Sequence, residues 1–318
     1  MSPAIKLIAQ RIALGLLLLF LVSILIFVGT LILPGDVAQS ILGQSATPEA
    51  LANLRRDLGL NDPAFTRYIN WLTGIFHGDL GTALTSGQDI ATAIGSRMSN
   101  TLFLAFWAAV ISVPLAILLG LTAVRYKDRW PDKLISAVTL ASISVPEFMI
   151  GYIIMYFIGV KLRWFPSVAM INDSMSLGEK LSAVAMPVMV LTLVVLAHMM
   201  RMTRAAILNV MQSPYIETAE LKGLNSFMVI FRHAFPNSVA PIVNVVMLNM
   251  AYLVVGVVVI EVVFTYPGMG QYLVDHVSKR DVPVVQACGL IFAAVYIVLN
   301  MVADIVSILS NPRLRHPK

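Results

Sequence analysis

The sequence is short of charge. Only 12% of its 318 residues are Asp, Glu, Lys or Arg, against roughly a quarter in a soluble domain. With 58% hydrophobic residues and a mean hydropathy of +0.84, the chain has too few polar groups to cover itself in water. Lipid is the solvent that removes that problem. Cysteine is almost absent. The single thiol, Cys288, lies in an apolar run, closes no internal disulfide and reads as a small apolar helix residue. No Cys/His cluster has metal-ligand spacing. There is no G-x-x-x-x-G-K-[ST], so no loop of the kind that cradles ATP phosphates, and no H-E-x-x-H, G-x-S-x-G or C-x-x-C. His198 and His233 stand near helix ends without evident ligand partners. Nothing assembles an acid, a base and a nucleophile, so an enzyme is not indicated. The net charge of +5 comes without a long basic run interleaved with aromatics, which speaks for anchoring at a membrane and against nucleic acid. Internal repeats and low-complexity linkers are also missing.

What is present is long apolar runs. A transmembrane helix needs about 20 mainly apolar residues, and stretches near 12–33, 101–124, 134–160, 184–206, 237–262 and 283–310 satisfy this. The expected fold is all-α, with about six transmembrane helices and both termini on one side. Lys6 and Arg11 precede the first run, which is longer than a signal-peptide core. It ends in Leu33-Pro34-Gly35-Asp36 without an Ala-x-Ala site, so it reads as a retained helix.

Basic residues in short loops orient the bundle. Arg125, Lys127, Arg129 and Lys133 crowd the second connection. Arg201, Arg204, Lys222 and Arg232 lie in or beside the fourth, and Arg313, Arg315 and Lys318 follow the last helix. The opposite connections mix signs, with Lys161, Arg163 and Lys180 against Asp173 and Glu179, and Lys279 and Arg280 against Asp275 and Asp281. An N-in, C-in arrangement follows. The chain divides into a start and first helix (1–34), a polar segment (35–97) placed outside on the periplasmic side, a membrane core (98–310) and a tail (311–318). Two short helices are expected in 35–97 as a small cap. One is opened by Thr47-Pro48-Glu49 and closed by Gly59. The other starts at Asp62-Pro63, carries Phe65, Ile69, Leu72 and Phe76 as its stripe, and is closed by Gly78.

The longest inner connection, 207–236, contains a short helix opened by Ser213-Pro214. Glu217 and Glu220 lie towards its positive end, Lys222 is in its last turn, and Gly223 supplies the left-handed closing residue. A second short helix is expected to stop near Ala234, before Pro236. A capped helix between two membrane spans is more than a tether; it is a candidate docking element.

The string MRMTRAAILNVMQSPYIETAELKGLNSFMVIFRHAFPNSVAP resembles the EAA loop of binding-protein-dependent ABC importer permeases of the oligopeptide/dipeptide branch. Glu217, Ala219 and Gly223 match its acidic, alanine and glycine positions, and Arg232-His233-Ala234, Asn237 and Pro241 match the downstream pattern. Leu33-Pro34-Gly35-Asp36, LRRDLGLNDPAFTRYINWL and Gly78-Asp79-Leu80-Gly81 are similar to the first subunit of these permease pairs. So are Ser144-Val145-Pro146 with Phe148, EVVFTYPGMGQYLVD, Arg280-Asp281 and Asn311-Pro312-Arg313. The resemblance runs essentially end to end. Thr218 departs from the usual alanine, and Glu220-Leu221 stands where an Arg-Ala pair is common.

The resemblance implies a type I ABC importer permease core in a bacterial inner membrane. It implies pairing with a second homologous permease, two ATPase subunits that use ATP and Mg, and a periplasmic solute-binding protein that delivers substrate. No cofactor is expected on this chain. Glu217, Thr218, Ala219, Glu220, Lys222 and Gly223 become the ATPase-coupling residues. Peptides or peptide-like solutes are the implied cargo; glutathione, oligosaccharides, opine-like compounds and nickel complexes are carried by relatives of the branch. A self-sufficient secondary transporter or channel is the competing class, but it would show inverted repeats or more membrane ionisables and would need no coupling motif. A membrane scaffold is the third.

An ionisable residue at membrane depth is a functional candidate. Glu147 sits in Ser144-Val145-Pro146-Glu147-Phe148, inside the third span. Pro146 frees the carbonyl of Ser142, so a kink is expected there. Two readings stand side by side: Glu147, Pro146 and Phe148 line a solute pathway, or Glu147 makes an interhelical hydrogen bond. Glu261 and Asp304 read as structural, Asn244, Asn249 and Asn300 as bridges between helices, and Met186, Met189, Met199 and Met200 as adaptable packing.

Overall fold

The computed structural model describes residues 3–32, 37–43 and 46–310. The strings Leu33-Pro34-Gly35-Asp36 and Asn311-Pro312-Arg313, with the rest of the 311–318 tail, lie outside them. Among the described residues the regular structure is helical apart from one isolated bridge, Thr82 to Asp89. In chain order the helices are α1 Pro3–Ile32, α2 Val37–Leu42, α3 Pro48–Asp57, α4 Ala64–Phe76, α5 Ile90–Arg125, α6 Trp130–Ser144 and α7 Glu147–Ile154. Then come α8 Leu177–Met211, α9 Pro214–Leu221, α10 Ser226–Met228, α11 Phe235–Val255, α12 Val258–Val263, α13 Met269–Ser278 and α14 Val282–Ser310. Two π-helical stretches continue the path: Met155–Lys161 extends α7, and Val229–Ala234 joins α10 to α11.

Five of these runs are long and apolar enough to cross a membrane: Lys6–Ile32, Ile90–Arg125, Leu177–Met211, Ser226–Val263 and Val282–Val306. The expected third crossing is instead two arms, α6 and α7 with its extension, bent by 101°. They still traverse the bundle. α6 is held near the far end of α8 through Asp132 and Arg204, whereas Gly159 in the α7 extension lies against Met186 near the start of α8. Trp130 and Trp164, both largely exposed, flank this crossing as interfacial aromatics do. Six crossings put both termini at one end. The α1–α14 pairing says the same, since Arg11 meets Asp304, Gly15 meets Ile297, Ile26 meets Gly289 and Thr30 meets Gln286, an antiparallel register.

α8 is the centre. It packs on α5, α6, α7 and α11, and its Met186, Leu191, Met199 and Met200 are fully buried. Methionine suits that place because its flexible thioether fills irregular gaps. Met189 instead faces outward.

Two boundaries and one packed face differ from the sequence reading. α5 begins at Ile90, inside the segment read as polar and extending to 97, because Asp89 caps it: its Oδ1 accepts from Thr92 N at 2.8 Å and Thr92 Oγ1 at 2.6 Å. Those bonds hold the Asp89 carboxyl below its usual range. The fifth crossing does not pause at Pro236. The preceding π-helical turns lead straight into α11, and Pro236 falls in its first turn, where a missing N–H matters least. In α4 the packed face is not the expected stripe. Tyr68 and Trp71 pack on Phe27 of α1, and Tyr68 Oη lies 2.8 Å from Ser23 Oγ, while Phe65, Ile69 and Phe76 point outward. α3 matches the expectation, with Ala50 N donating to Thr47 Oγ1 at 3.2 Å and Gly59 at φ +60°.

Candidate functional site

Between the fourth and fifth crossings, α9 is a rigid two-turn helix. Ser213-Pro214 opens it as expected, and its start is held by backbone bonds from Ile216 and Glu217 to the Ser213 carbonyl, with no capping bond from the Ser213 side chain. Its end is a Schellman closure. Leu224 N donates to Ala219 O at 3.3 Å, Gly223 N donates to Glu220 O at 2.9 Å, and Gly223 takes φ +76°. Lys222 is the C-cap, one step beyond the last turn. Thr218 Oγ1 donates back to the Pro214 carbonyl.

Two residues pin α9 to the bundle. Ile216 and Ala219 are buried in a cluster with Leu121 and Val124 of α5, Ile207 of α8 and Ile230 of the π-helical stretch. Ala219 is therefore a packing residue. Glu217, Thr218, Glu220, Lys222 and Gly223 are exposed, together with Leu221 (82%) and Tyr215 (44%). The outward apolar pair was not singled out from the sequence. The signal for Leu221 was the helical spacing itself, since with Ile216 and Ala219 facing in Leu221 must face out, whereas Tyr215 falls at the edge of the packed face.

The second site is the break between α6 and α7. Val145 is extended (φ −97°, ψ 129°), as a residue before proline prefers, and Pro146 is extended too (φ −56°, ψ 137°). Two extended residues turn a kink into a 101° bend. α7 restarts with Met149 N and Ile150 N donating to Pro146 O. The bend opens a cavity of about 470 Å³ against α8 and α11. Its polar lining is Ser142, Glu147, His198, Asn249 and Tyr252; the remainder is apolar. Glu147 is half-buried in the first turn of α7 and accepts a hydrogen bond from Tyr252 Oη at 3.0 Å. Opposite, Asn249 Nδ2 donates to the Val245 carbonyl and to His198 Nδ1 at 3.3 Å, bridging α11 and α8. Phe148 is exposed and lies outside this lining. Both readings of Glu147 thus have a footing, since it faces a cavity and bonds to another helix.

Glu261, Asp304, Asp281 and Asn300 make contacts within the protein. Glu261 is fully buried: Oε1 accepts from Thr101 Oγ1 at 2.6 Å, and Oε2 accepts from Gly270 N at 2.7 Å and Gln271 N at 3.1 Å. It caps α13 in place of a local side chain. This explains the glycines of the YPGMG string. A Cβ on Gly268 would fall on the Glu261 carboxylate, and one on Gly270 would meet Val258 Cα at 2.6 Å. Asp304 pairs with Arg11 at 3.0 Å. Asp281 accepts from Leu84 N, Thr85 N and Thr85 Oγ1, tying the loop after α4 to the start of α14. Asn300 bonds within its own helix rather than between helices.

A six-crossing helical bundle with a broken third crossing, a cavity at the break and a pinned helix on an inter-span loop defines a transport permease subunit. The chain matches the family described as "Binding-protein-dependent transport system inner membrane component" over residues 112–316, and its N-terminal counterpart over residues 4–107. It belongs to that family. It is 34% identical over 310 residues to a putative peptide transport system permease protein of Brucella abortus, covering 98% of this chain and 99% of that one. A probable peptide ABC transporter permease of Sinorhizobium fredii is 30% identical over 309 residues, covering 97% and 99%. The glutathione transport system permease protein GsiC of Escherichia coli is 34% identical over 298 residues, covering 94% and 95%. The protein is a multi-pass inner-membrane permease subunit of an ABC importer, a system that works with an ATPase and a binding protein.

Proposed function

We propose that this permease passes peptides or peptide-like solutes through the inner membrane, and that α9 is the element through which ATP hydrolysis drives it. The names of the relatives favour peptide cargo, glutathione being itself a tripeptide derivative. The observation that carries the coupling role is the division of α9 into two faces. Ile216 and Ala219 lock it to the bundle, and Tyr215, Glu217, Glu220 and Leu221 face out. A helix locked on one side and free on the other moves as one piece with the crossings it is locked to.

In this reading residues 207–236 face the cytoplasm, as the basic inner loops require. One ATPase subunit receives α9, and a second homologous permease brings its own helix to a second ATPase subunit. The periplasmic binding protein delivers the solute from the other face. ATP and Mg are held by the ATPase subunits, and this chain contributes no catalytic group and binds no cofactor. Closure of the ATPases biases a two-state bundle at a distance. The cavity at the α6–α7 break is the part of the pathway contributed by this subunit, with Glu147 as its one carboxylate. Among the otherwise uncharged polar and apolar groups of Ser142, Asn249, Tyr252 and their neighbours, that carboxylate attracts the cationic end of a solute and selects against an anionic one.

The test is to purify the tagged chain from its native membrane and ask what accompanies it. An ATPase subunit should co-purify, and a cysteine at Leu221 should crosslink to it. A chain that transports alone, with no ATPase attached, would make it a secondary transporter instead.

A further inference from the structure

The unexpected orientation of α4 has a physical consequence. Tyr68 of α4 bonds to Ser23 of α1, and both Tyr68 and Trp71 pack on Phe27. Ser23 and Phe27 lie within the apolar span Lys6–Ile32. At about 1.5 Å per residue they sit roughly 13 Å and 7 Å short of the helix end at Ile32. Counted from the other side, the Arg11–Asp304 ion pair marks where charge is tolerated. Ser23 is then roughly 18 Å above it and Phe27 roughly 24 Å, both inside a hydrocarbon layer of about 30 Å. α4 therefore touches α1 at membrane depth, not above it.

At about 100° per residue α4 has three faces. Tyr68, Trp71 and Ile75 form the packed one. Thr66, Asn70 and Thr73 form a polar one. Phe65, Ile69 and Phe76 form an apolar one that is exposed, Phe65 by 76%, Phe76 by 81% and Ile69 by 38%. α1 is itself exposed on the side away from α4, through Leu21, Leu25, Val28 and Ile32. A tyrosine and a tryptophan beside it are the residues that favour the headgroup boundary.

We propose that α4 is an interfacial helix embedded in the outer leaflet, with Phe65, Ile69 and Phe76 in contact with lipid acyl chains. The segment read from sequence as a cap outside the membrane is in this part a membrane-bound one. Its partner is the lipid surface rather than a docked protein, because its contact with α1 lies at the depth of the hydrocarbon layer. The anchored helix leads directly into the 78–89 loop that Asp281 holds, so the bilayer fixes one side of the outer mouth.

The proposal rests on α1 spanning the bilayer, and the test separates the two. Single cysteines are placed at Phe65, Phe76, Thr66 and Leu25 in a Cys288→Ser background and labelled with a nitroxide. The complete importer is reconstituted in vesicles of phosphatidylethanolamine and phosphatidylglycerol. Collision with oxygen reports lipid, and collision with a water-soluble nickel chelate reports water. Labels at 65 and 76 should show an oxygen-to-nickel ratio several-fold above that at 66 and close to that at 25. High nickel access at 65 and 76 with a lipid-like label at 25 overturns the proposal. So does exclusion of both reagents at 65 and 76, which would mean that the second permease or the binding protein covers the face. A water-exposed label at 25 would overturn the spanning of α1 as well.

Discussion

Arg204 of α8 holds Asp132 of α6 with both prongs of its guanidinium, Nε at 2.9 Å from Oδ1 and an Nη at 2.7 Å from Oδ2. The Asp128 backbone N–H and the Ser136 hydroxyl complete the carboxylate's shell, and the Asp132 side chain is only 5% exposed. α8 runs on from Arg204 into the segment that carries α9, and α6 runs on from Asp132 to the break that opens the cavity. The pair is a direct side-chain link between the helix that leads into α9 and the arm that lines the cavity.

Removing one partner of a buried pair leaves the other uncompensated, at a cost of about 3–5 kcal/mol. Asp132→Asn and Arg204→Leu should each destabilise the purified importer, Asp132→Asn less because the Arg204 it leaves unpaired is 26% exposed, whereas Arg204→Leu strands an Asp132 that is only 5% exposed. The double replacement Asp132→Leu with Arg204→Leu should recover much of the loss, because neither charge is then stranded. Thermal unfolding followed by size-exclusion chromatography reads this. Single variants with unshifted transitions would show that the link carries no weight.

Two glycines make a contrast. Gly223 has a positive φ but no atom within 4 Å of an added Cβ, so Gly223→Ala should cost only the left-handed backbone strain, about 1–2 kcal/mol, and Gly223→Asn less. Gly268 has ordinary φ, but its Cβ would displace the carboxylate that caps α13. Gly268→Ala should cost roughly 3 kcal/mol from overpacking and lost charged hydrogen bonds. Yield and melting of the assembled complex compare them; equal behaviour would refute the capping role of Glu261.

The orientation is tested by single cysteines at Ser86 and Ser226, both exposed, in a Cys288→Ser background. A membrane-impermeant thiol reagent added from the periplasm should label 86 and spare 226. The reverse pattern would invert the bundle and remove α9 from reach of a cytoplasmic ATPase.

Glu147→Gln should lower transport several-fold while leaving assembly and stimulated ATP hydrolysis intact, and a solute with a cationic end should suffer more than one without. Tyr252→Phe, which removes the 3.0 Å hydrogen bond, serves as the companion. If both variants lose assembly, the bond between α7 and α11 is the role of Glu147. Normal uptake of every solute would remove it from the pathway.

Composition and periodicity were enough to read the six crossings, the α9 helix and its left-handed Gly223, because those depend on local hydropathy and on one backbone conformation. Proline at 146 announced a distortion, but not its size, since the bend needed Val145 extended as well. The face of α4 could not be read. Its two apolar stripes, Phe65–Ile69–Phe76 and Tyr68–Trp71–Ile75, are both amphipathic solutions, and only the position of Ser23 and Phe27 on another helix chooses between them. The polar residues Thr92, Ser96 and Arg97 gave no sign that α5 already begins at Ile90, ahead of its apolar run. The polar wall of the cavity, His198 with Asn249, joins residues 51 positions apart and carries no motif.

The account centres on α9 as the coupling helix, and Gly223→Val tests it most directly. Valine at φ +76° strains the closing turn, and its branched side chain stands where the ATPase would dock. The measurement is reconstituted transport beside ATP hydrolysis stimulated by the loaded binding protein, on a complex shown to be assembled. The account predicts that Gly223→Val leaves all six crossings inserted and separates the two activities, with transport lost or far below the hydrolysis that remains. Full stimulated hydrolysis together with full transport would contradict it, and α9 would then be an ordinary connection.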